Sequence, residues 1–409
     1  MNTTSSQAAR DANAAVAHQA LRGDEFVSLM PQTCLAVRAG ESACSACVGA
    51  CPANALAIGP DGPTLQAACL HCGRCAAACP TGALHCDGFD LPAPEDGLGG
   101  IRIECAKVPA AAAPHALRVP CQGGIAPTQL LAWMLAGGER ALQLVDRGWC
   151  AHCSAGCGSS VAQMLVAKIE PWLQACGVPP AAWPVVRSES TPVLRMPDGI
   201  PVPPKAKPVM DRRAFFRRIG SEVRQRQPAV PAGVVRRSQL REIAWSMPAR
   251  ERWLERLAAI AARHGRALPA AALPALAVDA RCADHGVCAG VCPTGALLRN
   301  DGDGASTLSF DAARCVACGR CAAVCPEQAL RLDTGGGDAS RVVLRRSPLR
   351  ECVDCGAGFA AASADARHCA RCSTSANLAR ALFGVKRAGT QVAETQMANP
   401  VFGEFGRSP

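Results

Sequence analysis

The sequence has no tyrosine, and its aromatic content is only 4%. Proteins that bind single-stranded nucleic acid stack bases on aromatic side chains set among basic ones. With a formal charge of +10 but little to stack on, the chain is not expected to bind nucleic acid. It has no run of about 18 apolar residues, so no membrane span is expected. The opening M-N-T-T-S-S-Q-A-A-R-D-A-N-A lacks the apolar core of an export signal, and the expected location is cytoplasmic. No G-x-G-x-x-G follows a strand-like run, which argues against a dinucleotide site. No Ser/His/Asp constellation or carboxylate pair stands out. The residues point to no bond chemistry of the chain's own.

Cysteine is what the chain has in excess, 26 residues of it. Where thiols stay reduced, such a number means ligands or redox groups rather than disulfides. The densest stretch is C-L-H-C-G-R-C-A-A-A-C-P, from Cys69 to Pro80, and C-V-A-C-G-R-C-A-A-V-C-P repeats it from Cys315 to Pro326. Thiolates spaced C-x2-C-x2-C-x3-C suit [4Fe–4S] clusters, three on one cluster and the fourth on its neighbour. The proline that follows stops the turn from continuing as helix. These residues resemble the bacterial-type two-cluster ferredoxin module, and each copy is accompanied by a degraded partner motif. Cluster ligands are thiolates, so the formal charge of +10 overstates the cationic character of a loaded chain.

In the first module, residues 31–92, the partner motif is E-S-A-C-S-A-C-V-G-A-C-P. Exchange between motifs puts Cys69, Cys72, Cys75 and Cys51 on one cluster, and Cys44, Cys47 and Cys79 on the other. Glu41 stands where a first cysteine belongs. Cys34 is the preferred fourth ligand because thiolate is the softer donor. The alternatives are a Glu41 ligand, or a [3Fe–4S] cluster with an open corner and Cys34 as a buried thiol. In the second module, residues 277–335, the partner motif is R-C-A-D-H-G-V-C-A-G-V-C-P. Cys315, Cys318, Cys321 and Cys292 make a complete set. Cys282, Cys288 and Cys325 are completed by His285, whose imidazole raises a cluster's potential, or they hold a [3Fe–4S] cluster. Two [4Fe–4S] sites are thus complete, and the number rises to four with the degraded ones.

Residues 99–185 follow another pattern. G-I-R-I-E-C, A-L-R-V-P-C and A-L-Q-L-V-D-R-G-W-C read as short strands running into Cys105, Cys121 and Cys150, and a helix closed by glycine separates the last two. Strand, helix, strand implies parallel strands whose carboxyl ends share one crevice. Cys153 and Cys157 follow in C-A-H-C-S-A-G-C. Cys105, V-P-C-Q-G-G and W-C-A-H-C resemble the small iron–sulfur subunit of methanogen hydrogenase–heterodisulfide reductase complexes. The resemblance implies a [2Fe–2S] cluster on Cys121, Cys150, Cys153 and Cys157, with Cys105 as a fifth thiol. A redox-active dithiol or a zinc site is the alternative.

In residues 341–380, C-V-D-C and H-C-A-R-C place Cys352, Cys355, Cys369 and Cys372 as two knuckles of a zinc ribbon. Rubredoxin-type iron suits the same four thiolates, but the aromatics and proline of rubredoxin loops are missing. Cys86 and Cys176 remain as structural thiols.

The expected class is α+β: two ferredoxin-like dicluster modules, a small α/β parallel-sheet domain between them, a helical basic segment and a C-terminal zinc-ribbon-like knuckle. The rest comprises an N-terminal tail (1–30) with a short helix near 14–30, a Pro-rich linker (186–210), an Arg-rich helical segment (211–276) and a C-terminal tail (381–409). Within the Arg-rich segment, D-R-R-A-F-F-R-R is similar to a twin-arginine export motif, but it is internal and followed by charged residues. It reads as an amphipathic helix with a solvated basic face. Trp253, Leu254, Leu257 and Ile260 form a core-facing stripe on a later helix. The expected function is single-electron transfer as a subunit or accessory of an oxidoreductase, with redox proteins as partners. By analogy the complex is of formate dehydrogenase or hydrogenase type. A metalloenzyme assembly factor and an iron–sulfur redox sensor are the alternatives.

Overall fold

The computed structural model describes residues 19–21, 24–92, 100–138, 140–156, 158–189, 248–363 and 365–383. Cys157, most of the Pro-rich linker, the Arg-rich stretch up to 247 and the tail beyond 383 lie outside the described residues. The chain divides into two compact units. One comprises Met1–Cys282, Gly286–Asn300 and Thr307–Arg346; the other comprises Ala283–His285, Asp301–Ser306 and Ser347–Pro409.

The first unit begins with β1 (Gln19–Leu21), β2 (Asp24–Leu29), α1 (Leu35–Ala39) and α2 (Ala46–Gly49). The hairpin of β3 (Leu56–Gly59) and β4 (Gly62–Leu65) follows, then α3 (Arg74–Ala77) and β5 (Leu84–Cys86). β1, β2 and β5 form one antiparallel sheet. Residues 19–21 and 24–29 are therefore strands and not the expected tail and helix. Pairing with β5 buries Phe26, Val27 and Leu29 to 4% exposure or less, and that gain overrides local helix preference.

Next come β6 (Ile101–Cys105), β7 (Leu117–Val119), α4 (Pro127–Gly137), β8 (Leu142–Asp146), α5 (Val161–Ala175) and β9 (Val185–Ser188). All three strand pairs are parallel, in the order β7-β6-β8-β9. The sheet reaches Ser188, past the boundary expected at 185. Ile103, Leu144, Leu130, Leu131, Ile169 and Leu173 are fully buried between this sheet and its helices. Burial on that scale contributes about 1.5–3 kcal/mol per side chain.

α6 (Pro248–Arg263) ties the first unit together. Leu257 and Ile260 enter the large core, and Leu254 packs against both that core and the second module's. Trp253 meets Trp172 edge to face at 5.5 Å. Three of its four arginines depart from the solvated face expected of the Arg-rich segment. Arg250 donates to the carbonyls of Ala272 (2.8 Å) and Ala313 (3.3 Å). Arg256 donates to the Thr128 carbonyl (2.7 Å), and Arg263 to that of Leu135 (2.8 Å) in the last turn of α4. Carbonyls at a helix C-terminus lack intrahelical partners, so a guanidinium from a neighbouring helix satisfies them.

The second module contains β10 (Pro274–Val278), α7 (Val287–Gly290), β11 (Leu297–Gly302), β12 (Ala305–Phe310), α8 (Arg320–Ala323), β13 (Leu330–Gly336) and β14 (Val342–Glu351). β10 pairs antiparallel with β13, beside a core of Leu273, Leu276, Leu297, Leu308 and Phe310. In the second unit the end of β14 pairs with β15 (Gly358–Ala360), and α9 (Ala370–Phe383) follows. Among the described residues no helix is long and apolar enough to cross a membrane.

Candidate metal centres

Past its last cysteine, each of the four cysteine motifs of the two modules reads C-P-x-x-A. The residue before the alanine is left-handed every time: Asn54 (φ 50°), Gly82 (69°), Gly295 (62°) and Gln328 (49°). Each alanine is at most 2% exposed. The proline ends the one-turn helix, and the left-handed residue reverses the chain. The returning backbone then points at sulfur. Ala55 N–H donates to Cys51 Sγ at 3.2 Å, Ala329 N–H to Cys325 Sγ at 3.4 Å and Leu297 N–H to Cys292 Sγ at 3.5 Å. The buried hydroxyls of Thr81 and Thr294 lie 3.7 and 3.6 Å from the sulfurs of Cys79 and Cys292. This fourfold repeat is a signal that cysteine spacing alone does not carry.

The loops ahead of the helices differ. In the two complete motifs His71 and Gly73 (φ 51° and 73°) and Ala317 and Gly319 (53° and 73°) are left-handed, a conformation that only glycine adopts without steric cost. Asp284 and Gly286, on either side of His285, repeat it at 53° and 72°. The Glu41 motif breaks the pattern, because Ser45 replaces the glycine at φ −127° and Glu41–Ala43 forms a 3-10 turn.

Packing gathers the thiols into sets drawn from both motifs. Burial pushes Cys47 up to about 12, and charge at Cys79, Cys34, Cys44 and, least, Cys75 adds to the shift. Cys34 is likewise raised, by burial first and then by Cys79 and Cys44. Cys72 is pushed up to about 11 by burial, with Cys75 and Cys51 contributing. In the second module burial carries Cys321 to about 12, with Cys292, Cys315 and Cys318 around it. Cys288 is raised by burial and has Cys282 and Cys325 as neighbours. His285 is half-buried and belongs to the second unit, with Ala283 and Asp284. Glu41 is exposed, whereas Cys34 is 7% exposed.

Residues 42–84 match the family described as a 4Fe-4S dicluster domain, and residues 307–330 match the family described as a 4Fe-4S binding domain. The chain carries two 4Fe-4S ferredoxin-type domains. Cys34, Cys282, His285, Cys288 and Cys292 lie outside the matched segments. No match is found among the curated proteins.

Just past the first matched segment stands a further thiol that spacing did not single out as a neighbour. Cys86, at the end of β5, is 3% exposed, and its Sγ lies 4.0 Å from that of Cys75. The hydrogen bond between them lowers Cys75 and raises Cys86.

The first ferredoxin-type domain borders the central cysteines. Cys105 ends β6, Cys121 lies just past β7, and Cys150 and Cys153 follow β8, around a cavity of about 40 Å³ that Lys107 and Arg147 also line. Burial pushes Cys105 to about 11, with Cys150 and Cys153 adding to it. It pushes Cys121 to about 12, and Cys105 and Cys72 contribute. Cys72, Cys121, Ala155 and Val161 form one apolar cluster. Two polar devices hold the strand ends. Gln122 donates to the carbonyls of Ile103 and Val145, each at 2.9 Å. Fully buried Glu104 accepts from Arg147 at 2.5 Å.

In the second unit the sulfurs of Cys352, Cys355, Cys369 and Cys372 all lie within 4.8 Å of one another. Cys369 N–H donates to Cys352 Sγ at 3.3 Å and lowers that thiol to about 6. Hydrogen bonds to Cys355 and Cys369 push Cys372 up to about 12. The array presents four soft donors, one of them poised as thiolate.

Proposed function

We propose that this chain is a multi-centre iron–sulfur electron carrier, acting as a subunit or accessory of an oxidoreductase complex. The observation that carries the reading is the crossed assembly of thiols. Cys51 of one motif stands near Cys72 and Cys75 of the other, and Cys79 of the second stands, with Cys34 and Cys44, near Cys47, where Cys75 is a weaker neighbour, as two adjacent clusters require of two motifs. The donor sets fit the groups: buried soft thiols with backbone N–H donors turned towards them. Cys51, Cys69, Cys72 and Cys75 would hold one [4Fe–4S] cluster, and Cys34, Cys44, Cys47 and Cys79 a second. Cys292, Cys315, Cys318 and Cys321 would hold a third. A [4Fe–4S] cluster on four thiolates accepts and releases single electrons.

Exposure of Glu41 and burial of Cys34 favour Cys34 at the odd corner of the first domain. The left-handed pair around His285 repeats that of the complete loops. Cys282, Cys288 and Cys325 would hold a fourth cluster, for which the sequence motif offers His285 as the remaining ligand. Cys105, Cys121, Cys150 and Cys153 suit a [2Fe–2S] centre, with Cys157 following in sequence. Contact with Cys72 makes that centre the neighbour of a ferredoxin-type cluster. Cys352, Cys355, Cys369 and Cys372 suit a structural zinc. The peptide's own part is to exclude water, aim N–H donors at the sulfurs and hold the centres in sequence. By analogy the partners are redox proteins of a formate dehydrogenase or hydrogenase-type complex.

Metal and acid-labile sulfide analysis of anaerobically purified protein, with EPR before and after dithionite, tests this. The expected result is about 14 to 18 iron and about one zinc per chain. Iron near about 8, from the two complete motifs alone, would displace the carrier reading in favour of an assembly factor or a redox sensor.

A further inference from the structure

Cys86 lies outside every ligand-spaced motif, yet the fold aims it at one. β5 reads L-H-C, and strand alternation turns Leu84 and Cys86 inward while His85 faces out. The β2–β5 ladder pairs Val27 with Cys86 and fixes the backbone on which the thiol stands. Val27, at 1% exposure, and Phe89, at 8%, share its core, so water does not compete at this site. The Sγ atom stands 4.0 Å from Cys75 Sγ, within reach of an S–H···S hydrogen bond. The direction of that bond follows from chemistry. Cys75 as a ligand is a thiolate and has no proton, so it only accepts; Cys86, outside the motif, keeps its proton and donates.

We propose that Cys86 is a positioning residue that donates a hydrogen bond to the ligand sulfur of Cys75 and so raises the reduction potential of the cluster on Cys51, Cys69, Cys72 and Cys75. The proposal rests on the reading of those four residues as cluster ligands. A donor withdraws charge from the sulfur and favours the reduced, more negative cluster. A low-dielectric surrounding strengthens the effect. None of the other described sets has a cysteine in this position among the hydrogen bonds observed.

The test is potentiometry of the full chain, followed by EPR, comparing wild type with Cys86→Val and Cys86→Ser. Valine fills the same space without a donor; serine keeps a donor. The expected result is that one midpoint potential falls in Cys86→Val. The shift corresponds to about a threefold change in the reduced-to-oxidised ratio, ~28 mV at 59 mV per tenfold. Cys86→Ser should restore most of it, and the other potentials should stay in place. Wild-type protein reconstituted in D2O gives a second readout that needs no variant. An exchangeable deuteron coupled to the reduced cluster should appear in ENDOR spectra and be missing from Cys86→Val. A loaded cluster whose potential and deuteron coupling are the same in wild type and Cys86→Val overturns the proposal. A wild-type chain with no cluster on these four cysteines overturns the ligand reading itself.

Discussion

Replacing Glu104 by alanine should loosen the central cysteine site without touching the ferredoxin-type domains. Glu104 is fully buried, and its main partner Arg147 is 8% exposed, with Nη2–Oε1 at 2.5 Å. Removing one member of such a pair leaves a buried charge behind and costs about 3–5 kcal/mol. Glu189 Oε2, 3.4 Å from Arg147 and 36% exposed, takes up part of the load, so the low end applies, about 3 kcal/mol. Glu189→Ala, which removes a partly exposed partner that Arg102 also holds at 2.8 and 2.9 Å, should cost less, about 1 kcal/mol. The pair joins β6, which ends at Cys105, to the turn that carries Cys150. Native-state hydrogen exchange of the Ile103 and Leu144 amides reads the local opening. About 3 kcal/mol is roughly a hundredfold faster exchange in Glu104→Ala, with loss of metal from the central cysteines and unchanged iron in the ferredoxin-type domains. Glu104→Ala/Arg147→Ala should recover part of the loss, since no charge is then stranded. Equal, small effects of Glu104→Ala and Glu189→Ala, with the central site intact, would refute the reasoning.

Three other outcomes are expected. Thr294→Val, which removes a hydroxyl 3.6 Å from Cys292 Sγ, should lower that cluster's potential by about 40 mV, one net hydrogen bond of about 1 kcal/mol; potentiometry decides, and an unmoved potential counts against it. Cys47, Cys121 and Cys321 are each pushed up to about 12 when folded, against about 8.5 unfolded. Their neutral forms therefore stabilise the metal-free fold fully below about pH 8.5, and that contribution is lost as pH rises towards 12. Thermal melts of the metal-free chain should soften across that window while loaded protein does not, and a flat profile would contradict the argument. If Cys352, Cys355, Cys369 and Cys372 hold the proposed zinc, a chelator should speed exchange of the Leu349, Arg350 and Glu351 amides while leaving the cluster EPR signals in place. Unchanged exchange would mean the metal does not hold this segment.

The sequence by itself determined what is local. The first three cysteines of the motifs at Cys69 and at Cys315 fall within seven residues, and a left-handed step ahead of one turn of helix brings their sulfurs to one side of the chain. The runs ending at Cys105, Cys121 and before Cys150 were legible for the same reason: apolar β-rich stretches of five or so residues with glycine or proline after them. The C-P-x-x-A repeat was also there to be read. The tertiary structure decided everything that depends on a partner far along the chain. Residues 24–29 look like part of a polar, helical tail in isolation, and become a strand only because β5 offers a ladder and an apolar face. The arginines of α6 pattern like a solvated face, but Arg250, Arg256 and Arg263 dock on carbonyls of residues 128, 135, 272 and 313. Cys34 gains its place from burial beside Cys44 and Cys79, which no spacing rule encodes. Cys86 meets Cys75, and Cys72 meets Cys121, across turns of chain that composition and periodicity leave undetermined. Covalent spacing sets which sulfurs can share a centre, and packing sets which centres and donors stand beside each other.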